Sequence, residues 1–401
     1  MSLNDRPMSE RLHIGFFGLR NAGKSSVVNA VTGQKLSLVS DIKGTTTDPV
    51  TKAMEILPLG PVVIIDTPGI DDEGELGKMR VRRAMQTLSK TDIAILVVDA
   101  QTGLQKPDLE LIDSFKAKNI PFIEVFNKSD LLDTTPESAE NRIYVSAVKG
   151  TNIYELKELI GKFADKAESE KKLIGDLVSK DDIIVLVTPI DEAAPKGRMI
   201  LPQVQTIRDV LDNDAFNIVV KETGLEAALA SLSKKPRMVV TDSQAFGKVS
   251  KIVPQDIPLT SFSILFARYK GELRELVKGA AMLDRLRDGD TILISEGCTH
   301  HRQCSDIGTV KLPNWILGYT KKKLNFEFTS GNEFPDELGK YSLVVHCGGC
   351  MLNEREMRSR MRRAADSNVP MTNYGVAIAQ MHGILRRSLE LFPDLLAELD
   401  K

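Results

Sequence analysis

Between residues 12 and 165, short apolar runs alternate with longer segments whose apolar positions recur every three or four residues. The runs are "HIGFFGL", "VVIIDT", "IAILVVDA", "FIEVFNK" and "RIYVSA". Each is rich in β-branched and aliphatic side chains and ends in polar or turn residues, which predicts a buried strand. Strands separated by amphipathic helices predict a parallel, doubly wound α/β domain. The charged "KFADKAESEKK" that follows reads as the end of a helix and a connection.

The same alternation restarts at residue 182. Here "DIIVLVTPI", "FNIVVKE" and "RMVVTDS" are strand candidates, and "LPQVQTIRDVLD" and "LEAALASLS" are helix candidates. This stretch has no phosphate loop and no metal-type cluster. From about residue 259 a third stretch runs from "SFSILFARY" through a long helical segment to "TILISEG" and "SLVVHCGGC". The expected organisation is three α/β domains, at 1–168, 169–258 and 259–401.

Composition narrows the class. Hydrophobic residues make up 42% of the 401 residues and charged residues 27%, as in ordinary globular protein. A net charge of −2 argues against a nucleic-acid coat or a polybasic membrane binder. "MSLNDRPMSE" lacks the apolar core of a signal peptide, and no apolar run approaches a spanning helix. A cytoplasmic location without membrane or nucleic-acid partners is therefore expected. There cysteines stay reduced, so Cys298, Cys304, Cys347 and Cys350 are expected to act as ligands or redox groups rather than as disulfides.

The first domain carries the clearest chemistry. "GLRNAGKS" matches G-x-x-x-x-G-K-[ST] between a strand and a helix. Its glycines let backbone N–H groups curl around phosphate, and the helix N-terminus adds positive potential. Gly18, Asn21, Ala22, Gly23, Lys24, Ser25 and Ser26 are the expected contacts, with Lys24 on the β- and γ-phosphates and Ser25 on Mg²⁺. "DTPG" supplies Asp66 for Mg²⁺ through water and the Gly69 N–H for the γ-phosphate. "NKSD" supplies Asn127, Lys128 and Asp130, whose carboxylate can accept both N–H donors of guanine. "SAVKG" offers the backbone of Ser146 and Ala147 to the base carbonyl. In this order the strings resemble the translation-factor-like small GTPases, which implies GTP as the nucleotide.

"GTTTDP" at residues 44–49 resembles the switch of potassium-dependent GTPases of the TrmE type. That resemblance implies Thr46 as the residue sensing Mg²⁺ and γ-phosphate, and Asn21 as a K⁺ ligand; otherwise Asn21 is a turn residue. Ile70 stands where Ras-like proteins hold a water-orienting glutamine. Lys24, Thr46, Asp66 and Gly69 are then the expected catalytic group.

"EGCTHHRQC" and "HCGGC" each follow a strand candidate, and ligands bind at the carboxyl ends of strands in open α/β sheets. Neighbouring strands would bring Cys298 beside Cys347 and Cys350. Three readings stay open on these residues. Zinc would take four ligands such as Cys298, His300, Cys347 and Cys350. A [4Fe–4S] cluster needs three thiolates and one further group. The third is a set of inert buried thiols. The helix "NEREMRSRMRRAA" brings Arg355, Arg358, Arg360, Arg362 and Arg363 after the last cysteine. On its residues it reads as a solvated face paired with Glu354 and Glu356.

Cys298-x-His300, a long gap, then His346-Cys347-x-x-Cys350 behind a GTPase domain resembles the [FeFe]-hydrogenase maturation GTPases over the whole chain. The resemblance implies a P-loop GTPase domain, then an α/β dimerisation domain, then an α/β iron–sulfur domain. It implies a [4Fe–4S] cluster on Cys298, Cys347 and Cys350, with a fourth position taken by His300, His346, Cys304, Asp306 or an outside group. It further implies a homodimeric scaffold that receives a di-iron precursor made with two radical-SAM maturases. The finished subcluster then goes to apo-[FeFe]-hydrogenase. The same resemblance would make the arginine helix an attraction for an anionic cargo. An RNA-modification or ribosome-assembly GTPase with structural zinc, and an electron-transfer protein, are the competing classes.

Overall fold

The computed structural model describes residues 8–33, 50–57, 59–69, 83–167, 172–189, 199–297, 307–331, 333–349 and 351–399. The chain divides into two compact units, Met1–Ser169 and Glu170–Lys401.

In the first unit β1 (Leu12–Phe17), β2 (Val50–Ile56), β3 (Gly60–Asp66), β4 (Ile93–Asp99), β5 (Phe122–Asn127) and β6 (Arg142–Tyr144) form one sheet in the order β2-β3-β1-β4-β5-β6. All pairs are parallel except β2 with β3. Burial on both faces explains the unbroken apolar runs. In β4, Ile93, Ile95 and Val97 enter one core with Val27 and Leu156 of the covering helices. Ala94, Leu96 and Val98 enter the opposite core with Leu111 and Phe115. Each of these valine, leucine, isoleucine and phenylalanine side chains contributes roughly 1.5–3 kcal/mol on burial, so a charge at Leu96 would unseat the second layer. The antiparallel β2 has a different signature. From Ala53 on, Met54 and Ile56 are buried while Ala53 and Glu55 are exposed, the alternation of a strand covered on one face.

The second unit holds two parallel four-stranded sheets. One is built from β7 (Ile183–Val187), β8 (Phe216–Val220), β9 (Met238–Thr241) and β10 (Leu259–Ser261), in the order β10-β9-β7-β8. The other is built from β11 (Thr291–Glu296), β12 (Asn325–Ser330), β13 (Leu343–His346) and β14 (Met371–Asn373), in the order β12-β11-β13-β14. Residues 259–261, at the head of the third stretch in sequence, are thus an edge strand of the second sheet.

The helix Phe262–Lys270 leaves that edge strand. Ser261 caps it, its hydroxyl accepting from Ile264 N at 3.3 Å. Its apolar side chains divide between two cores. Phe262, Leu265 and Phe266 pack with the β7–β9 sheet, and Ile264 and Ala267 with the β11–β14 sheet. The chain returns to the same place near its end, where Thr260 Oγ1 donates to Ser388 O at 2.9 Å and Arg387 donates to Val253 O at 2.8 Å. Gly279 lets the helix Leu273–Ala281 lie directly on β14, since a Cβ there would stand 2.0 Å from Met371 O. Among the described residues no helix is long and apolar enough to cross a membrane.

Candidate functional site

The first site gathers at the carboxyl ends of β1, β3 and β5. β1 ends at Phe17 and the helix Lys24–Thr32 begins after a loop of six residues, so the intervening backbone must turn sharply. Gly18 takes φ +142°, and a Cβ there would stand 2.2 Å from Val97 O. Gly23 takes φ +84°, with its missing Cβ 2.2 Å from Asn127 Nδ2. Both positions demand glycine on steric grounds. Asn21 sits between them with φ +65° and an exposed side chain, a conformation asparagine tolerates better than most residues.

Asn127 ties two loops together. Its Nδ2 donates to Ala22 O at 3.1 Å, and its Oδ1 accepts from Ala147 N at 3.1 Å. The phosphate loop and the "SAVKG" turn are therefore held in register by one buried amide. Lys128 adopts φ +66° and its ammonium meets Asp99 Oδ2 at 2.6 Å. A hydrogen bond from the Ser146 side chain holds the Asp130 carboxyl below its usual range, so Asp130 is an ionised acceptor at neutral pH. Ser146 is itself buried and its hydroxyl accepts from Lys149 N at 3.1 Å.

Asp66 closes the other side. It is buried, and among the described residues its Oδ1 has no hydrogen-bond partner. Burial pushes its carboxyl up to about 6, against the opposing pull of the Lys24 ammonium. An orphaned, desolvated carboxylate facing the P-loop lysine fits a site completed by a cation. Thr67 anchors the turn, its hydroxyl donating to Phe16 O at 2.7 Å. Gly69 lies against the backbone of Arg20, where a Cβ would meet Arg20 Cα at 3.1 Å. The buried Lys24 and the half-buried Ser25 open the helix as the motif requires, with Ser26 exposed beside them. Thr46 and Ile70 lie outside the described residues.

The second site lies at the carboxyl ends of β11 and β13. The two strands are adjacent and parallel, with Ser295 opposite His346. Cys347 N continues the ladder to Ser295 O at 2.9 Å. The Cys347 sulfur accepts two backbone N–H groups, from Gly297 at 3.0 Å and from Gly349 at 3.4 Å. Paired N–H donors on one sulfur suit a thiolate ligand. Gly349 takes φ +62°, and a Cβ there would collide with Met357 Sδ at 2.7 Å. Cys298, His300, His301, Cys304, Asp306 and Cys350 lie outside the described residues.

His346 has another occupation. The ring is fully buried, Nδ1–H donates to Cys347 O at 2.7 Å, and Nε2 accepts from Arg360 Nη1 at 3.0 Å. Burial, with the Arg360 charge adding, pushes its pKa down to about 4, so the ring is neutral. Both nitrogens are engaged, and metal ligation through Nε2 would require breaking the arginine bond. Arg360 is also fully buried. It donates to Glu356 Oε1 at 2.9 Å and to Gly331 O at 2.8 Å. Neither a solvated helix face nor a cargo attractor describes this arginine, whereas Arg358, exposed and paired with Glu354 at 2.6 Å, is a solvated-face residue.

Lys270 was not singled out by its sequence. It is 4% exposed, and its ammonium donates to Leu352 O at 3.1 Å and Gly349 O at 3.4 Å. In sequence it closes an apolar helix face and looks like an ordinary solvated end.

The hydrogen maturase F tetramerization-domain family matches residues 274–391. The hydrogen maturase F dimerization-domain family matches residues 173–271, and the 50S ribosome-binding GTPase family residues 13–128. GTPase Der of Kosmotoga olearia is 33% identical over 192 residues, covering 43% of this chain and 43% of that protein. The tRNA modification GTPase MnmE of Nitrosospira multiformis is 33% identical over 158 residues, covering 38% of this chain and 34% of that protein. The chain thus spans less than half the length of these curated relatives. Among solved structures, an Aquifex aeolicus Era variant with GDP and tetrafluoroaluminate is similar at 21% identity and a TM-score of 0.34, covering 60% of this chain and 97% of that one.

Proposed function

Because the chain belongs to the hydrogen maturase F family, with both of that family's domains behind a GTPase domain, we propose that it is a GTP-hydrolysing scaffold for metallocluster assembly. The GTPase domain binds GTP with Mg²⁺, and the two C-terminal domains serve self-association. In the finer reading a [4Fe–4S] cluster sits on Cys298, Cys347 and Cys350. His300, Cys304, Asp306 or an outside group completes it. The scaffold, a homodimer, receives a di-iron precursor from two radical-SAM maturases and hands the subcluster to apo-[FeFe]-hydrogenase.

What carries this reading is the Cys347 sulfur. It lies at the carboxyl end of β13 with two backbone N–H donors, one from the residue that precedes Cys298. Bound there, the cluster would supply an iron with an exchangeable coordination position, while the chain holds the thiolates and excludes water. Anaerobic reconstitution with iron and sulfide, followed by optical and EPR spectra, should give a reducible [4Fe–4S] cluster. A colourless protein holding one tight zinc would sink the reading. Lys24→Ala and Cys350→Ser should each abolish activation of apo-hydrogenase, and full activation by either removes the corresponding site.

In the GTPase domain we assign Lys24, Thr46, Asp66 and Gly69 to γ-phosphate chemistry. Ser25 and Thr46 are assigned to Mg²⁺, and Asn21 to a K⁺ that offsets transition-state charge. Equal hydrolysis rates in KCl and NaCl would refute the potassium assignment.

A further inference from the structure

Lys270 comes from the helix Phe262–Lys270, yet its ammonium rests on the loop after β13, 79 residues away in sequence. It donates to the carbonyls of Gly349 and Leu352, which lie on either side of Cys350 in the chain. They also bound one turn, closed by Leu352 N donating to Gly349 O at 3.0 Å. Gly349 is the pivot. Its carbonyl faces Lys270 and its N–H faces the Cys347 sulfur. The lysine therefore fixes the peptide groups that aim a donor at a candidate ligand atom.

Burying an ammonium costs several kcal/mol unless something nearby repays it. The carbonyl dipoles of Gly349 and Leu352 contribute, and a site that accumulates negative charge would add to them. A [4Fe–4S] core on three thiolates carries net negative charge, and one-electron reduction adds another. The ammonium also has a rigid base. Two residues before it, Arg268 makes a two-pronged ion pair with Asp176, and its guanidinium stacks on Phe392 at 5.4 Å.

We propose that Lys270 is a positioning residue of the cluster site: it sets the Gly349–Leu352 turn and, by its buried charge, raises the reduction potential of a cluster held by Cys347. This rests on the cluster reading above. It adds a residue that is not a ligand, and it assigns that residue a measurable electrochemical role.

The test is an EPR-monitored titration with dithionite of the reconstituted full chain, alongside Lys270→Gln, Lys270→Met and Lys270→Arg. Gln keeps an amide donor while removing the charge, so it remains informative if Met does not fold. Lys270→Gln should shift the one-electron reduction equilibrium about tenfold toward the oxidised cluster, about 59 mV to lower potential. Lys270→Arg should restore the parental potential. Parental potentials in both Gln and Met variants would overturn the proposal and leave the cluster reading standing. A parent that takes up no cluster would overturn both.

Discussion

Replacing Asp66 by asparagine separates the stability of the nucleotide-free protein from its function. Asp66 is buried, one of its oxygens has no partner among the described residues, and its carboxyl is pushed from 3.8 to about 6. That rise corresponds to about 3 kcal/mol against the folded state whenever the group is ionised. The sign follows from proton counting. Between the unfolded and folded values the native protein binds the extra proton, so stability falls as pH rises through this window. The whole penalty is present above the folded value and vanishes below the unfolded one. Asparagine has no such dependence. Its own burial cost is constant with pH, so the change in the gap between variant and parent isolates the charge. From about pH 4.5 to about pH 7.5 that gap should widen by about 2 kcal/mol in favour of Asp66→Asn. For a unit of this size that is roughly 4–8 °C. Calorimetry of the full chain reads it on the transition that moves when Mg·GTP is added to the parent. Mg·GTP should stabilise the parent most, because the cation pairs with Asp66, and should do much less for the variant. A gap that is flat with pH would refute the claim that Asp66 waits ionised and unpaired for a cation.

Arg360→Met should cost roughly 3–5 kcal/mol in chemical denaturation, because it removes the guanidinium that faces the buried Glu356 carboxylate and holds His346 and Gly331 O. The double variant Arg360→Met with Glu356→Leu should recover most of that loss. Asp130→Asn should weaken GTP roughly hundredfold, by replacing a charged double acceptor with an amide. It should also improve xanthosine triphosphate, whose carbonyl can accept from the new amide, and calorimetric titration with both nucleotides checks the exchange. Asn127→Ala should loosen nucleotide binding by roughly 1–3 kcal/mol through loss of the bonds to Ala22 and Ala147, measured by the same titrations.

The nucleotide site was legible because its parts are local. Gly18, Gly23 and Lys24 sit in one loop whose geometry their spacing dictates, and β1 and β4 advertise two-sided burial by unbroken apolar runs. The role of Asn127 as a clamp was not legible, since Ala22 lies 105 residues away. The alternation of β2 was present in "VTKAMEI" but is short, and Ala53 interrupts its contrast. In the second site the pairing of β11 with β13 followed from the two motifs ending strands. His346 read as a candidate ligand because histidine beside cysteine so often is one. Its ring is instead held by Arg360, from a helix whose arginines look alike in sequence. Which of five arginines is buried depends on packing against Phe334 and Gly331, far along the chain. Lys270 was hidden for the same reason.

The helix Phe262–Lys270 has a consequence for how the chain can be cut or inherited. It grows out of the second sheet's edge strand, contributes side chains to both cores, and ends on the turn after β13. A break before residue 259 would strip β10 from its sheet and bare Phe262, Leu265 and Phe266, each about 1.5–3 kcal/mol of lost burial. A break after residue 271 would leave the Gly349–Leu352 turn without its ammonium. Neither half can be excised cleanly, although each matches its own family. Recombination can exchange the first unit at the connection near residue 169, but the two C-terminal domains have to travel as one heritable piece.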